Sequence, residues 1–153
     1  MIMKKRIIII FLFLAFLSLT VLSVLFYFEK NKKENQVGAK TVEINGLRIP
    51  LELADTVNKQ IQGLSGREQL SGGMLFVFPD KRIRNFWMKN MHFPLDIIWI
   101  DGDRIANISQ NLLPEGEHPA KTYSSISEVN YVLEVEAGFC EKNNIKIGDS
   151  VKF

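Results

Sequence analysis

A short segment in the middle of the chain carries side chains that together bind small polar ligands in other proteins. Trp87, Lys89 and Asn90 are close neighbours along the chain, and Asp96 follows inside an apolar run. An indole beside an ammonium and an amide binds a polar or saccharide-like ligand by stacking and hydrogen bonds. Arg67, from an earlier loop, offers a guanidinium to Asp96 or to a ligand carboxylate. These five residues are the predicted ligand-binding site.

Asp96 also has a purely structural interpretation, which the sequence leaves open. A carboxylate among bulky apolar side chains is costly unless it is paired or hydrogen-bonded. Asp96 would then accept hydrogen bonds from backbone N–H groups of residues 90–94, or pair with Lys89 or Arg67, and lock the corner between two strands. In this alternative Trp87 only covers the sheet.

Other kinds of site have less support in the sequence. Asp96 and Glu134 would form a hydrolase pair only if their carboxylates lay about 5–10 Å apart, so a hydrolase stays an alternative and no catalytic residue is predicted. His92 and His118 lack the spacing of metal ligands, and we predict neither a metal nor a cofactor. Cys140 is the only cysteine, which rules out an internal disulfide and indicates a small buried hydrophobic residue.

The binding segment itself is predicted to be two strands, residues 86–89 and 96–100, joined by a polar link. Side chains alternate along a strand. If Phe86 and Met88 point into the core, Trp87 and Lys89 therefore point the opposite way. The pattern thus predicts an outward-facing tryptophan next to a cation.

The preceding part of the chain predicts a hairpin and then a central strand. Asn45-Gly46 between alternating apolar residues is a strong hairpin signal, because both turn positions need positive φ. Pro50 cannot donate to a ladder, so the second strand of this hairpin is predicted to be an edge or a bulged strand. Residues 74–78 are all apolar, which is typical of a strand covered on both faces.

A short helix is predicted between those two strands. It begins at an N-cap, Asp55 or Thr56, and ends before Gly63. Val57, Ile61 and Leu64 recur at helical spacing, and we expect this stripe to pack on the sheet.

The C-terminal half predicts more strands, at residues 104–112 and 129–135, separated by a long loop. In the second of these strands Leu133 and Val135 share one face and Glu134 the other. Residues 113–127 have no periodic apolar set, so they are predicted to be a surface loop and provide a third hypothesis, a protein-interaction module. The predicted fold is mainly β: a single antiparallel sandwich or jelly-roll-like barrel with one or two short helices.

The N-terminal segment predicts a membrane anchor. Residues 1–6 are a short basic tail, and residues 7–28 contain no charge, long enough as a helix of about 33 Å to cross a bilayer. Residues 29–40 are predicted to be a flexible tether, followed by an extracytoplasmic β domain, 41–153. The charge distribution favours a single-pass membrane protein with its N-terminus in the cytoplasm. The alternative is a cleaved signal peptide and a secreted domain.

The charge balance argues against nucleic acid as a partner. Three of the 19 lysines and arginines precede the first acidic residue, Glu29, so 16 basic residues face 17 acidic ones afterwards. A nearly neutral domain provides no electrostatic footprint for nucleic acid. The predicted partners are the membrane, through residues 7–28, and a small polar ligand or an envelope protein.

Several blocks of sequence are shared with one known family, from about residue 40 to the end. They are Gln62-Gly63-Leu64, residues 73–78, Phe86-Trp87-Met88-Lys89-Asn90, Pro94-Leu95-Asp96-Ile97, Tyr131-Val132-Leu133-Glu134-Val135, Ala137-Gly138 and Gly148-Asp149. With these blocks the chain resembles the domain of unknown function 192 family. The resemblance implies a small β-sandwich-like domain, often preceded by a signal or an anchor. It implies no agreed activity and no catalytic residues, so we expect a non-enzymatic binding or accessory module.

Overall fold

The computed structural model describes residues 20–23, 26 and 40–153. Residues 20–23 and 26 are helical. The predicted basic tail, the rest of the predicted span 7–28 and nearly all of the predicted tether lie outside the described residues. Within the described residues, no helix is long and apolar enough to cross a membrane.

Residues 40–153 form a compact, mainly β unit, as the sequence predicts. Its nine strands and two short helices are β1 Thr41–Ile44, β2 Leu47–Ala54, α1 Val57–Gln62, β3 Gly73–Arg82, β4 Asn85–Phe86, β5 Leu95–Asp101, β6 Arg104–Leu112, β7 Tyr123–Ser124, β8 Val129–Glu136, α2 Phe139–Lys142 and β9 Val151–Lys152.

Seven of these strands form one curled sheet, a half-barrel, rather than two stacked sheets. Their order is β6-β5-β8-β3-β2-β1-β9, and β4 and β7 make a separate two-stranded ribbon. The curl brings the two edges of the sheet together at one end. There Ile105 N donates to Asp149 O at 3.0 Å, and Val151 N donates to Asp103 O at 2.8 Å.

The curled sheet has a separate hydrophobic core on each face. The inner core receives side chains from strands at both edges, which identifies it as the concave side; it includes Val42, Ile49, Leu75, Ile98, Ile105, Leu133 and Val151. The outer core lies on the opposite face and is covered by loops; it includes Leu64, Leu70, Met74, Phe76, Met88, Met91, Ile97, Trp99 and Val132. Burial on both faces explains why residues 74–78 of β3, in the middle of the order, are an unbroken apolar run.

The prediction of an all-antiparallel arrangement is wrong at one place. β2 and β3 are parallel, with Leu51 opposite Gly73 and Leu53 opposite Leu75. A parallel pair needs a connection of about a dozen residues or more, commonly helical. The segment from residue 55 to residue 72, which contains α1, provides that crossover.

The hairpin is confirmed, but the position assigned to its second strand is wrong. Asn45 and Gly46 both have positive φ, 53° and 81°, and Ile44 pairs with Leu47. β2 is an interior strand between β1 and β3 despite Pro50. Pairing with β3 begins only at Leu51, after the proline, so the missing N–H costs no hydrogen bond on that side.

The ends of α1 are confirmed. Thr56 is the N-cap, and its hydroxyl accepts a hydrogen bond from Lys59 N at 3.4 Å. Gly63 follows the last turn, with φ of 50°. The local capping signals therefore placed this helix correctly.

The face of α1 that packs on the sheet is not the predicted one. Leu64 is buried, but Val57 and Ile61 are exposed. Gln60 takes the place against the sheet instead, because its Nε2 donates to Val77 O at 2.9 Å and to Ala54 O at 3.2 Å. These two hydrogen bonds fix the rotation of the helix and leave its apolar stripe in solvent.

Candidate functional site

Trp87 is held outward because both of its neighbours are packed inward. The Phe86 ring contacts the rings of Phe76 and Trp99 edge-on, with centroids 4.8 and 5.4 Å apart. Met88, on the other side, is fully buried in the outer core. Alternation then leaves the indole of Trp87 on the solvent side, where it is 53% exposed. The predicted orientation of Trp87 is confirmed, but the predicted strand 86–89 is not continuous, because β4 ends at Phe86 and only Lys89 forms a further bridge.

The backbone after Trp87 is attached to the loop that follows α1. Ser65 Oγ donates to Lys89 O at 2.8 Å, and Gly66 N donates to Asn90 O at 2.8 Å. Asn90 has a φ of 51°, a left-handed conformation that asparagine tolerates better than most residues. Both carbonyl groups are therefore used for positioning, and the side chain of Asn90 is exposed.

The segment after β6 supports the same backbone from its other side. Glu115 N donates to Met88 O at 2.9 Å, and Lys89 and Glu115 form a parallel bridge. Leu113, two residues before Glu115, is exposed, as Trp87 is. Residues 113–127 are mostly exposed, as predicted for a surface loop, but the segment contains β7 and pairs with residues 85–89 at two places.

Arg67 lies near this surface but is engaged elsewhere. Its Nη1 donates to both carboxylate oxygens of Glu52, at 2.8 and 2.7 Å. The two side chains line a cleft of about 370 Å³ beside α1 and β2. Arg67 therefore shares a loop with the residues that hold Lys89 and Asn90, but it does not pair with Asp96.

Asp96 lies on the inner face, away from Trp87. It is 0% exposed, and its two oxygens accept from Asn111 N at 2.9 Å and from Cys140 N at 3.0 Å. The structural interpretation applies, although the donors come from the end of β6 and the start of α2 rather than from residues 90–94, Lys89 or Arg67. Trp87, Lys89 and Asn90 are close because they are neighbours along the chain, whereas Asp96 lies on the other face of the sheet.

The alternative of a carboxylate pair is excluded by the register of the sheet. Asp96 lies opposite Val135, and Ile97 lies opposite Glu134. Residues opposite each other share a face and successive residues alternate, so Asp96 and Glu134 point to opposite faces of the sheet. They cannot act together on one glycosidic bond.

Glu134 is the buried acid that sequence reasoning did not find. It is only 5% exposed and lies between Met74 and Ile97 on the outer face. Its Oε2 has no hydrogen-bond partner among the described residues. Burial without compensation raises the pKa of Glu134 to about 8. The apolar neighbours on both flanking strands were the available signal, but a single strand does not show which residues lie beside it.

Cys140 is buried at the start of α2, as predicted. Burial, and then the negative charge of Asp96, raises the pKa of its thiol to about 12. The thiol stays protonated at neutral pH and is a poor nucleophile.

Comparison with known proteins gives two structural relatives. No curated protein matches the chain. The crystal structure of a "putative transcription regulator" from Sinorhizobium meliloti 1021 is 32% identical, with a TM-score of 0.67 over 73% of this chain and 91% of that chain. A protein of unknown function from Novosphingobium aromaticivorans DSM 12444 is also 32% identical, with a TM-score of 0.67 over 74% and 84% of the two chains.

The same part of the chain matches one sequence family. Residues 40–153 match DUF192, described as "Uncharacterized ACR". This range is the whole curled-sheet unit, including the segment around Trp87 and the inner and outer cores. The chain therefore belongs to the domain of unknown function 192 family.

Proposed function

We propose that the protein is a non-enzymatic binding module whose ligand contacts the surface made by Trp87, Lys89 and Asn90. The observation that carries this proposal is a half-exposed tryptophan on a backbone fixed by buried residues and hydrogen bonds on both sides. A contact residue that is already held in place loses little conformational entropy on binding. Tryptophan also contributes strongly to binding when it is part of an interface.

The chemistry of this surface favours a small polar or saccharide-like ligand. An indole face stacks on the apolar side of a sugar ring, while the ammonium of Lys89 and the amide of Asn90 hydrogen-bond hydroxyl groups. Arg67 supports this surface only through the backbone of its loop, since its guanidinium is held by Glu52. Asp96 is assigned a structural role and no contact with the ligand.

An envelope protein is the second candidate ligand. Leu113 is exposed two residues before Glu115, which bridges to Lys89. Exposed apolar side chains next to a tryptophan-bearing segment suit the core of a protein interface, which is enriched in aromatic residues. The interaction hypothesis for residues 113–127 therefore concerns the same surface and not a separate one.

We expect Trp87→Ala to lower the affinity of the surface for its ligand at least about tenfold, as loss of a central aromatic contact costs about 2 kcal/mol. The full chain is titrated with a panel of envelope glycans by calorimetry. Ile147→Ala, which removes an exposed apolar side chain from another turn, should leave binding unchanged. Binding of no glycan by the parent protein, or equal binding by the Trp87→Ala variant, contradicts the saccharide proposal. Leu113→Ala distinguishes the two ligands, because only an envelope protein should lose affinity with it.

We also propose that residues 7–28 anchor the chain in the cell membrane with the folded unit outside. The support is the uncharged length of this segment and the three cations before it. The full chain should stay in the membrane pellet after alkaline carbonate extraction, and protease added outside should reach residues 40–153. Recovery of a soluble chain that begins near residue 40 contradicts the anchor and supports secretion.

A further inference from the structure

A second cleft lies between α1 and the chain that connects β3 to β4. Its volume is about 430 Å³, which falls within the range of small-molecule sites, roughly 300–1,000 Å³. Its walls combine the rings of Phe76, Phe78 and Phe86 with the guanidinium groups of Arg82 and Arg84. Trp87 is not part of this lining, so the cleft is separate from the surface proposed above.

Arg84, one of the two arginines of the cleft, is rigidly held. The guanidinium of Arg84 lies over the ring of Phe78, 3.9 Å from its centroid, and Nη2 donates to both the carbonyl and the carboxylate of Asp80 at 2.7 Å. The side chain is 17% exposed. Its Nε has no hydrogen-bond partner in the described part of the chain. Arg84 therefore keeps a fixed position, and its unpaired Nε is itself buried.

The charge of the cleft is not balanced by its own acid. Asp80 contacts both Arg84 and Arg82, and the hydrogen bond from Arg84 is the main reason why the pKa of Asp80 is lowered. One carboxylate thus faces two guanidinium groups. The neighbouring acid, Asp101, is paired with Lys81. The lining itself contains two arginines and no acidic residue next to its three aromatic rings.

The apolar part of the cleft is open to solvent at its rim. Ile83 lines the cleft and is exposed. The side-chain nitrogen of Gln60 donates to Ala54 O and Val77 O. The side-chain oxygen of Gln60 takes no part in these two hydrogen bonds.

We propose that this cleft binds a small aromatic anion, with its ring against the phenylalanines and its carboxylate directed to Arg82 and Arg84. The rings provide stacking or edge contacts for a planar molecule. The two guanidinium groups provide charge-assisted hydrogen bonds for an anion, and the unbalanced charge disfavours a cation. Neutral sugars lack both features, which distinguishes this ligand from that of the Trp87 surface.

The probe for this proposal is 1-naphthoate, compared with its neutral amide, 1-naphthamide. Both are titrated into the full chain in detergent, with binding followed by calorimetry. We expect 1-naphthoate to bind at least about tenfold more tightly, because a hydrogen bond to a charged group contributes about 1.5–3 kcal/mol. Equal affinity of the two compounds, or no binding of 1-naphthoate, overturns the proposal.

Two exposed arginines provide a matched pair of variants. Arg82→Gln should weaken 1-naphthoate binding about tenfold and leave 1-naphthamide unchanged. Arg48→Gln should change neither, since Arg48 pairs with Glu43 outside the cleft and is 78% exposed, against 73% for Arg82. Both side chains are in solvent, so neither variant should alter the fold. Equal effects of the two substitutions overturn the proposal.

Filling the cleft with a bulky side chain tests where the two compounds bind, independently of charge. Asn85 lines the cleft and is exposed, so Asn85→Trp should block both compounds while the melting temperature stays near that of the parent. Lys40→Gln should have no effect, although Lys40 lines a smaller apolar cavity of about 290 Å³. Loss of binding with Lys40→Gln or Trp87→Ala, but not with Asn85→Trp, overturns the assignment to this cleft.

Discussion

Replacing Glu134 with glutamine is expected to make the folded protein more stable at alkaline pH and to remove a large part of its pH dependence. The carboxyl group is buried between Met74 and Ile97, and Oε2 has no partner among the described residues. Glutamine keeps the shape but carries no charge at any pH. The difference between the two proteins should therefore report the ionisation of this one group.

The sign of the effect follows from the direction of the shift. Burial raises the pKa of Glu134 from its ordinary value, 4.5, to about 8 in the folded state. Between these values the folded protein holds a proton that the unfolded chain has lost. The free energy of unfolding therefore falls as the pH rises from about 4.5 to about 8, by about 1.4 kcal/mol for each pH unit. The Glu134→Gln variant does not lose stability in this way, so at pH 8 its free energy of unfolding should exceed that of the parent by several kcal/mol.

Urea denaturation from pH 4.5 to pH 9 measures this difference. Glu136→Gln is a close control, because Glu136 lies two residues further along β8 and is exposed. It should reproduce the pH profile of the parent. A Glu134→Gln variant with the same slope as the parent would show that the carboxyl group is compensated in the folded state, against the structure.

Glu134 also shows why the sequence predicts the faces of a strand better than their burial. Alternation along β8 separates Glu134 from Leu133 and Val135, and the structure confirms this separation. Whether the face of Glu134 is covered depends on residues far away in the chain, such as Met88 and Leu70, which pack over the outer core. No local pattern in β8 contains that information.

The elements that were predicted correctly are those specified by neighbours in the chain. The Asn45-Gly46 turn needs positive φ at both positions, and the cap at Thr56 needs one nearby N–H. The outward orientation of Trp87 follows from the alternation of its own segment. Each depends on a few adjacent residues, and each is found in the structure.

The elements that were predicted wrongly depend on partners that only the fold brings together. Pro50 is tolerated in an interior strand because β3 pairs beyond it, and nothing in β2 reveals where β3 begins. Val57 and Ile61 stay exposed because Gln60 finds carbonyl groups on two other segments. A helical apolar stripe predicts packing, but specific hydrogen bonds outweighed it here.

The positions of the predicted site residues follow the same rule. Trp87, Lys89 and Asn90 are adjacent in sequence and remain adjacent in space. Asp96 was correctly predicted to need partners, but its two donors lie 15 and 44 residues away along the chain. Distance in sequence, rather than chemistry, separates the orientation of Trp87, which is predicted correctly, from the partners of Asp96, which are not.

Removing the carboxylate of Asp96 is expected to be the most destabilising change at a single polar side chain. Asp96→Ala leaves the N–H groups of Asn111 and Cys140 without an acceptor at a site with 0% exposure. Each buried donor left unsatisfied costs about 1–3 kcal/mol, so the free energy of unfolding should fall by about 3 kcal/mol or more. Asp96→Asn should lie between the alanine variant and the parent, because one amide oxygen can still accept one of the two hydrogen bonds.

Urea denaturation gives the size of this loss, and hydrogen exchange gives its location. Asp103→Asn is the control, since Asp103 is exposed in the following turn and should change stability by less than about 0.5 kcal/mol. The amides of Asn111 and Cys140 should exchange faster in Asp96→Asn, because each depends on the carboxylate that joins β5 to the end of β6 and to α2. Ligand affinity at Trp87 should stay the same in this variant. A stable Asp96→Asn protein that loses only ligand binding would contradict the structural role and place Asp96 in the binding site. A less stable protein with unchanged affinity would show that Asp96 holds the strands together, while other residues contact the ligand.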